Sequence, residues 1–275
     1  MIYNTILVHL DIGDGAGSQL SFARNLAARF EANLIGFAAG DIHPIAAPPP
    51  GVVVDAEFMR LEAREIERRL EALRSDLDAS GEMGGADSLR TTVGDPTKGL
   101  AIAARAADLV IAGSGGEEGG RDAHTAIDLG ALIHAAGRPV LIPRDDLAPL
   151  KASSVVVAWK DAREARRAVA DAMPFLAHAR EVLVATVAEH EPDRAMASAT
   201  DVVRYLINHG AKARAEIVDH REGEAGEALV GIARQIGADL IVSGGYGHGR
   251  LREWLLGGVT RSLLREGALH RLMSA

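Results

Sequence analysis

Residues 100–111 read Leu100-Ala101-Ile102-Ala103-Ala104-Arg105-Ala106-Ala107-Asp108-Leu109-Val110-Ile111. Residues 229–241 repeat that plan as Leu229-Val230-Gly231-Ile232-Ala233-Arg234-Gln235-Ile236, then Ala238-Asp239-Leu240-Ile241. Both stretches run from a helix former through an aspartate into an apolar, β-branched run, which predicts a helix feeding a buried strand. The repeat extends outward. Ile6-Leu7-Val8-His9-Leu10 and Val155-Val156-Val157-Ala158-Trp159 predict the first strand of each copy. After each comes a polar turn and a helical stripe, Leu20, Ala23, Ala27 and Phe30 in one copy and Ala168, Ala172 and Phe175 in the other. Second strands follow at 33–37 and 182–186, then longer helices marked by Ile66, Leu70, Leu73 and Leu77, and by Val202, Val203, Tyr205 and Leu206.

The offset between copies is 149 at the first strand and 131 at the aspartate, so the first copy carries an insertion. Residues 41–54, with Pro44, Pro48, Pro49 and Pro50, are its candidate, because proline disrupts strand and helix interiors. Strands alternating with helices imply right-handed crossovers and a parallel sheet covered on both faces. The expected architecture is α/β: two tandem open parallel-sheet domains, 1–145 and 152–275, separated by a short polar linker.

Composition narrows the function. The 275 residues carry 30 Lys plus Arg against 38 Asp plus Glu, a net charge of −8, which does not attract nucleic acid or anionic lipid. Cysteine is absent, which excludes disulfide frameworks, Cys-ligated metal sites and thiol nucleophiles. Aromatic residues make up only 4%, too few for a single-strand stacking platform. The first apolar run is broken by Asn4 and His9, unlike a signal peptide, and no window approaches the ~18 apolar residues of a membrane span. A soluble, cytoplasmic protein without nucleic-acid or membrane partners is the expectation.

Ligands of open parallel sheets bind at the carboxyl ends of the strands. After the fourth strand of the second copy the chain reads Ser243-Gly244-Gly245-Tyr246-Gly247-His248-Gly249-Arg250, and Gly257-Gly258 precedes a helical stretch from Val259. Bare amides at a helix start suit an anion, and glycines let the backbone approach it. The same glycines would also let a loop pack over the sheet with no ligand at all. His248 is a candidate phosphate contact.

The spacing Gly244-x2-Gly247-x9-Gly257-Gly258, in its strand–loop–helix setting, resembles the nucleotide loop of the universal stress protein family. Ala238-Asp239-Leu240-Ile241-Val242, Val259 and Val155-Val156-Val157-Ala158-Trp159 match the family as well, and with both copies the resemblance covers nearly the whole chain. It implies a tandem member with the adenine-nucleotide alpha-hydrolase-like fold, whose halves pair through their fifth strands as an intramolecular pseudo-dimer. It also implies ATP or a related adenine nucleotide, with or without Mg²⁺, at Gly244, Gly245, Gly247, Gly257, Gly258 and Val259, and an acid after the first strand near the adenine. Two positions depart from the family pattern. The loop-closing Ser/Thr is Gly258, and the acid's place holds Lys160, with Asp161 one residue later.

The first copy has the complementary defects. Asp11 stands where the acid belongs, and Gly113-Ser114-Gly115-Gly116 opens the loop. The next motif glycine is Ala126, however, and Leu129-Gly130 supplies a glycine four positions late. Glu117, Glu118, Asp122 and Asp128 place negative charge where a polyphosphate would lie. Asp11, Gly113 and Gly116 are therefore read as a remnant, with nucleotide expected only in the second copy. Gly13-Asp14-Gly15-Ala16-Gly17-Ser18 lacks the closing spacing of a dinucleotide turn and reads as a flexible turn ending in a Ser18 cap.

No nucleophile elbow, Walker loop or zinc-helix motif occurs, no general base stands out, and any ATP hydrolysis is expected to be slow. A hydrolase or flavin carrier is accordingly disfavoured. Two functions stay open: a nucleotide-responsive stress protein, and a scaffold of the same fold acting through protein contacts. In the second copy, His270 and Arg271 replace the family's Pro-Val at the fifth strand. That strand is expected to be the weaker and more exposed, and a homodimer through exposed edge strands is a further partner expectation.

Overall fold

The computed structural model describes residues 2–13, 15–42, 56–81, 83, 88–113, 124–187, 191–219, 224–245 and 258–275. The first half runs β1 (Thr5–His9), α1 (Ala16–Phe30), β2 (Asn33–Gly40), α2 (Ala56–Ser80), β3 (Ser88–Val93), α3 (Pro96–Ala103), β4 (Leu109–Ile111), α4 (Leu129–Ala135) and β5 (Val140–Ile142). The second runs β6 (Ser154–Trp159), α5 (Arg163–Asp171), α6 (Met173–Leu176), β7 (Glu181–Thr186), α7 (Pro192–Asn208), β8 (Ala213–Ile217), α8 (Ala225–Gln235), β9 (Leu240–Gly244), α9 (Gly258–Arg265) and β10 (His270–Ser274). The Pro-rich candidate insertion lies almost wholly outside the described residues.

All ten strands form one sheet in the order β3-β2-β1-β4-β5-β10-β9-β6-β7-β8. Every pairing is parallel except the central one, where β5 and β10 run antiparallel with Leu141 opposite Leu272. Each half thus contributes five strands in the same order, and the two fifth strands form the seam of an intramolecular pseudo-dimer. Alternation along the strands divides the core into two layers. Ile6, Val8, Leu141, Val155, Val157 and Leu272 face α1, α2, α5, α6 and α7, while Leu7, Val110, Val140, Val156 and Met273 face α3, α4, α8 and α9. Both layers run through both halves without a break.

The repeated aspartates have a structural task at the opposite end of the sheet from any ligand site. Asp108 Oδ2 accepts the N–H groups of Asn4 at 2.9 Å and Thr5 at 3.0 Å. Asp239 accepts those of Ser153 at 3.3 Å and Ser154 at 3.2 Å. Each carboxylate thereby fixes the entry of its half's first strand beside the fourth.

Two expectations are corrected here. Ala168, Ala172 and Phe175 do not share one helix. α5 stops at Asp171 and α6 restarts at Met173, because Pro174 has no N–H for the next turn. Nor is β10 weak or exposed: all five of its residues are buried between β9 and β5. Its polar residues find partners in the first half, just after β5. The Arg144 N–H donates to His270 Nδ1 at 3.2 Å, and Arg271 Nη2 donates to the Pro143 carbonyl at 2.9 Å. The His270 ring also stacks on Phe22 of α1, with centroids 5.5 Å apart. The open edges of the sheet are the third strands, β3 and β8.

One cluster fastens the halves on the α1 face. The Phe30 ring lies 5.0 Å from Tyr3 and 5.2 Å from Phe175, edge-on in both cases. The Arg29 guanidinium lies 5.5 Å from the Phe175 centroid and donates to the Leu150 and Lys151 carbonyls at 3.2 and 2.8 Å, pinning the linker. The buried Tyr3 hydroxyl donates to the Asp171 carbonyl, and its pKa is pushed well above the usual phenol value by burial, reinforced by the charges of Asp171 and Asp108.

Candidate functional site

In the second half, β6 and β9 lie side by side in register from Val155 opposite Leu240 to Ala158 opposite Ser243. Their carboxyl ends bring together Lys160-Asp161 and Gly244-Gly245. β6 ends at Trp159, so Lys160 and Asp161 belong to the turn into α5. Lys160 is exposed. The Asp161 carboxylate is engaged by Arg166, whose Nη2 and Nε donate to Oδ1 at 2.5 and 3.2 Å on the surface. Such an exposed pair contributes about 0–1 kcal/mol, so a ligand could displace it at small cost. Trp159 is buried, and its indole N–H donates to Ser198 Oγ of α7 at 2.8 Å, a packing role.

Gly244 is required by the fold. A Cβ there would lie 2.5 Å from the Ala165 nitrogen and 2.6 Å from the Glu164 carbonyl carbon, so the first turn of α5 rests directly on this backbone. Gly245 donates its N–H to the Ser274 carbonyl at 2.7 Å. Gly258 is the exposed first residue of α9, and Val259 beside it is half-buried. Gly247, His248 and Gly257 lie outside the described residues. A further glycine, Gly226 on α8, had no signal in the loop motif: a Cβ there would lie 2.6 Å from Ser262 and 3.0 Å from the Val259 Cα. Its bareness lets α9 pack closely against α8.

The first half arranges the same framework differently. Asp11 Oδ1 accepts the Gly13 N–H at 2.9 Å and the Thr125 hydroxyl at 3.3 Å, while its own N–H donates to Gln19 Oε1 at 2.8 Å. The carboxylate is therefore committed to closing its own turn. At the start of α4 the Asp128 carboxylate accepts the Ala131 N–H at 2.9 Å, and the Asp128 N–H donates to Thr97 Oγ1 at 3.0 Å. The chain thus supplies its own anion where α4 begins. An aspartate directly before a helical apolar run signals such a cap, so the charge of Asp128 serves the helix start as well as opposing a polyphosphate. Gly113 follows β4 and is half-buried. Gly116 lies outside the described residues. Among the described residues, no group of three or more His, Cys, Asp and Glu could hold a metal. Among them, too, no helix is long and apolar enough to cross a membrane.

Residues 152–268 match the model of the Universal stress protein family. The second half is a universal stress protein domain. The first half repeats its strand order, and the chain is a tandem of the two. The universal stress protein of Archaeoglobus fulgidus DSM 4304 superimposes with a TM-score of 0.71 at 16% identity, covering 98% of each chain. A functionally unknown protein of Pseudomonas aeruginosa PAO1 gives 0.61 at 16% identity, covering 99% of this chain and 92% of that one. These likenesses establish a shared two-domain fold. No curated protein matches the chain.

Proposed function

We propose that the second universal stress protein domain binds ATP or a related adenine nucleotide, with or without Mg²⁺, across the carboxyl ends of β6 and β9. In this reading the chain acts in stress response by nucleotide-dependent binding. The observation that carries it is the contrast between the two helix starts: α4 begins behind the carboxylate of Asp128, whereas α9 begins at the exposed Gly258. Helix-start amides favour negative charge, and an internal carboxylate competes for them. Nucleotide is therefore assigned to the second half alone. Any hydrolysis would be slow, since no general base stands out among the described residues.

The alternative is a scaffold without nucleotide, working through protein contacts. The pairing of Asp161 with Arg166, the cation at Lys160, the missing hydroxyl at Gly258 and the packing duty of Gly244 all favour it. A homodimer through exposed edge strands would use β3 or β8, because β10 is paired on both sides within the chain.

Calorimetric titration with ATP and Mg²⁺ decides between the two readings, together with mass spectrometry of small molecules released from the purified protein. Binding heat that disappears in Gly247→Val and in Gly258→Asp, which puts a carboxylate in the first turn of α9, is the expected result. No heat and no released nucleotide would establish the scaffold.

A further inference from the structure

The β8 edge carries a pattern that fits a second copy of itself. Among the described residues β8 pairs with β7 alone and ends the sheet. The Lys212 carbonyl accepts the Val182 N–H, and the Val218 N–H donates to the Thr186 carbonyl, each at 2.8 Å. By alternation Arg214 and Glu216 also turn their peptide groups toward β7, so Ala213, Ala215 and Ile217 turn theirs to the open side. Ala213 and Ala215 pack their side chains into the α7 layer of the core. Arg214 and Glu216 stand on the other face, where Arg214 Nη1 donates to Glu216 Oε2 at 2.6 Å and both side chains are about half exposed.

Set antiparallel against a copy, with Ala215 facing Ala215, this strand pairs Ala213 with Ile217 as hydrogen-bonded partners. It then places Arg214 opposite Glu216 twice, in the closely spaced positions where cross-strand side chains meet best. Centring on Arg214 or Glu216 would oppose like charges. Centring on Ala213 would set Arg214 against Lys212, and centring on Ile217 would leave Glu216 facing Val218. The alternation of sign thus selects one register, whereas an edge of a single sign repels a second copy. The other edge, β3, holds Arg90 and no acid, so it has no such register.

α7 adds an apolar flank. Its Ser198 takes the Trp159 indole N–H on the side toward β6. Met196, Thr200, Val203 and Ile207, spaced 4, 3 and 4, lie on the opposite side of the helix, toward the open edge. The Thr200 hydroxyl is already donated to the Met196 carbonyl at 2.7 Å, and Ile207 is 54% exposed.

We propose that the chain forms a two-fold homodimer through β8, the sheet continuing from one copy into the other with the outer flanks of the two α7 helices on either side of the axis. This names the strand and register of the edge-strand homodimer raised above, on which it rests, and is independent of nucleotide.

Sedimentation equilibrium of the full chain tests it, at about 0.15 M salt, where the net charge of −8 on each copy is screened over about 8 Å. Wild type is expected to dimerise at or below about 0.1 mM. Glu216→Arg and Arg214→Glu each set like charges opposite one another and should each raise the dissociation constant about tenfold. An equimolar mixture of the two variants opposes unlike charges again and should return to near the wild-type value. Ala215→Pro gives up no bond to β7, because that nitrogen faces the open side, and should abolish the dimer at unchanged circular dichroism. Arg90→Glu on β3 should change nothing. A monomeric wild type overturns both the inference and the edge-strand homodimer. A dimer that the β8 variants leave intact overturns the assignment to β8 alone, and a mixture that fails to re-pair overturns the register.

Discussion

Acidification should weaken the seam between the halves through a single ring. Burial pulls His270 from 6.5 down to about 4, with the positive charges of Arg144 and Arg271 adding to the effect against the opposing fields of Asp239 and Asp146. Its Nδ1 accepts the Arg144 N–H, so the neutral ring carries its proton on Nε2. Because the folded-state pKa lies below the unfolded one, the unfolded chain takes up the proton first. Stability from this group is complete above about pH 6.5 and is lost as the pH falls toward 4. Across the whole window the displacement is worth about 3 kcal/mol, and between pH 7.5 and 5 about 2 kcal/mol. His270→Gln keeps an acceptor for Arg144 and does not titrate. Urea unfolding of both proteins at pH 7.5 and 5 isolates the contribution, since the other carboxylates and histidines are common to both. Wild type should lose about 2 kcal/mol more than the variant over that interval. Losses that agree within about 0.5 kcal/mol would refute the reasoning.

Gly244→Ala forces a methyl against the α5 backbone rather than against a flexible side chain, so it should cost about 3 kcal/mol, read as a lower urea midpoint at unchanged slope. Asp239→Ala strips the acceptor from two strand-entry N–H groups and should cost about 2 kcal/mol. Asp108→Ala, removing the matching clamp of the first half, should cost a similar amount, and the two deficits should add. Leu272→Ala empties the centre of the seam opposite Leu141 and should cost about 3–4 kcal/mol, measured by calorimetric unfolding.

Much of the fold could be read in advance because fully buried parallel strands leave continuous apolar runs. The runs at Ile6, Val155 and Leu109 became strands within one residue of their expected bounds, and the run at Leu240 became one that continues to Gly244. The third strands had no such signature: β3 and β8 are edges with partly exposed, mixed side chains, so no apolar run marks them. The break between α5 and α6 turned on one missing N–H at Pro174, which helical periodicity overlooks. At β10, polar residues in the sequence predict a weak strand where the structure has a buried one. His270 and Arg271 meet a peptide N–H and a carbonyl from the segment just after β5, partners set by tertiary position and invisible in the strand's own residues. The candidate site was legible as a spacing of glycines, but not in its duties. Gly244 seats a helix, Gly226 seats another, and the first-half acid at Asp11 closes its own turn. The two glycines take these roles from residues well removed in sequence, Gly244 from Glu164 and Ala165 and Gly226 from Val259 and Ser262.

Joining β5 to β10 within one polypeptide has a further consequence. An assembly of two separate chains dissociates on dilution, and any substitution in it appears on both sides of the axis. Here the tether fixes the local concentration of one fifth strand around the other at a level that dilution cannot lower. Each substitution is also made only once. That freedom from mirror copies is what allows an aspartate to plug one helix start while a bare glycine stands at the other.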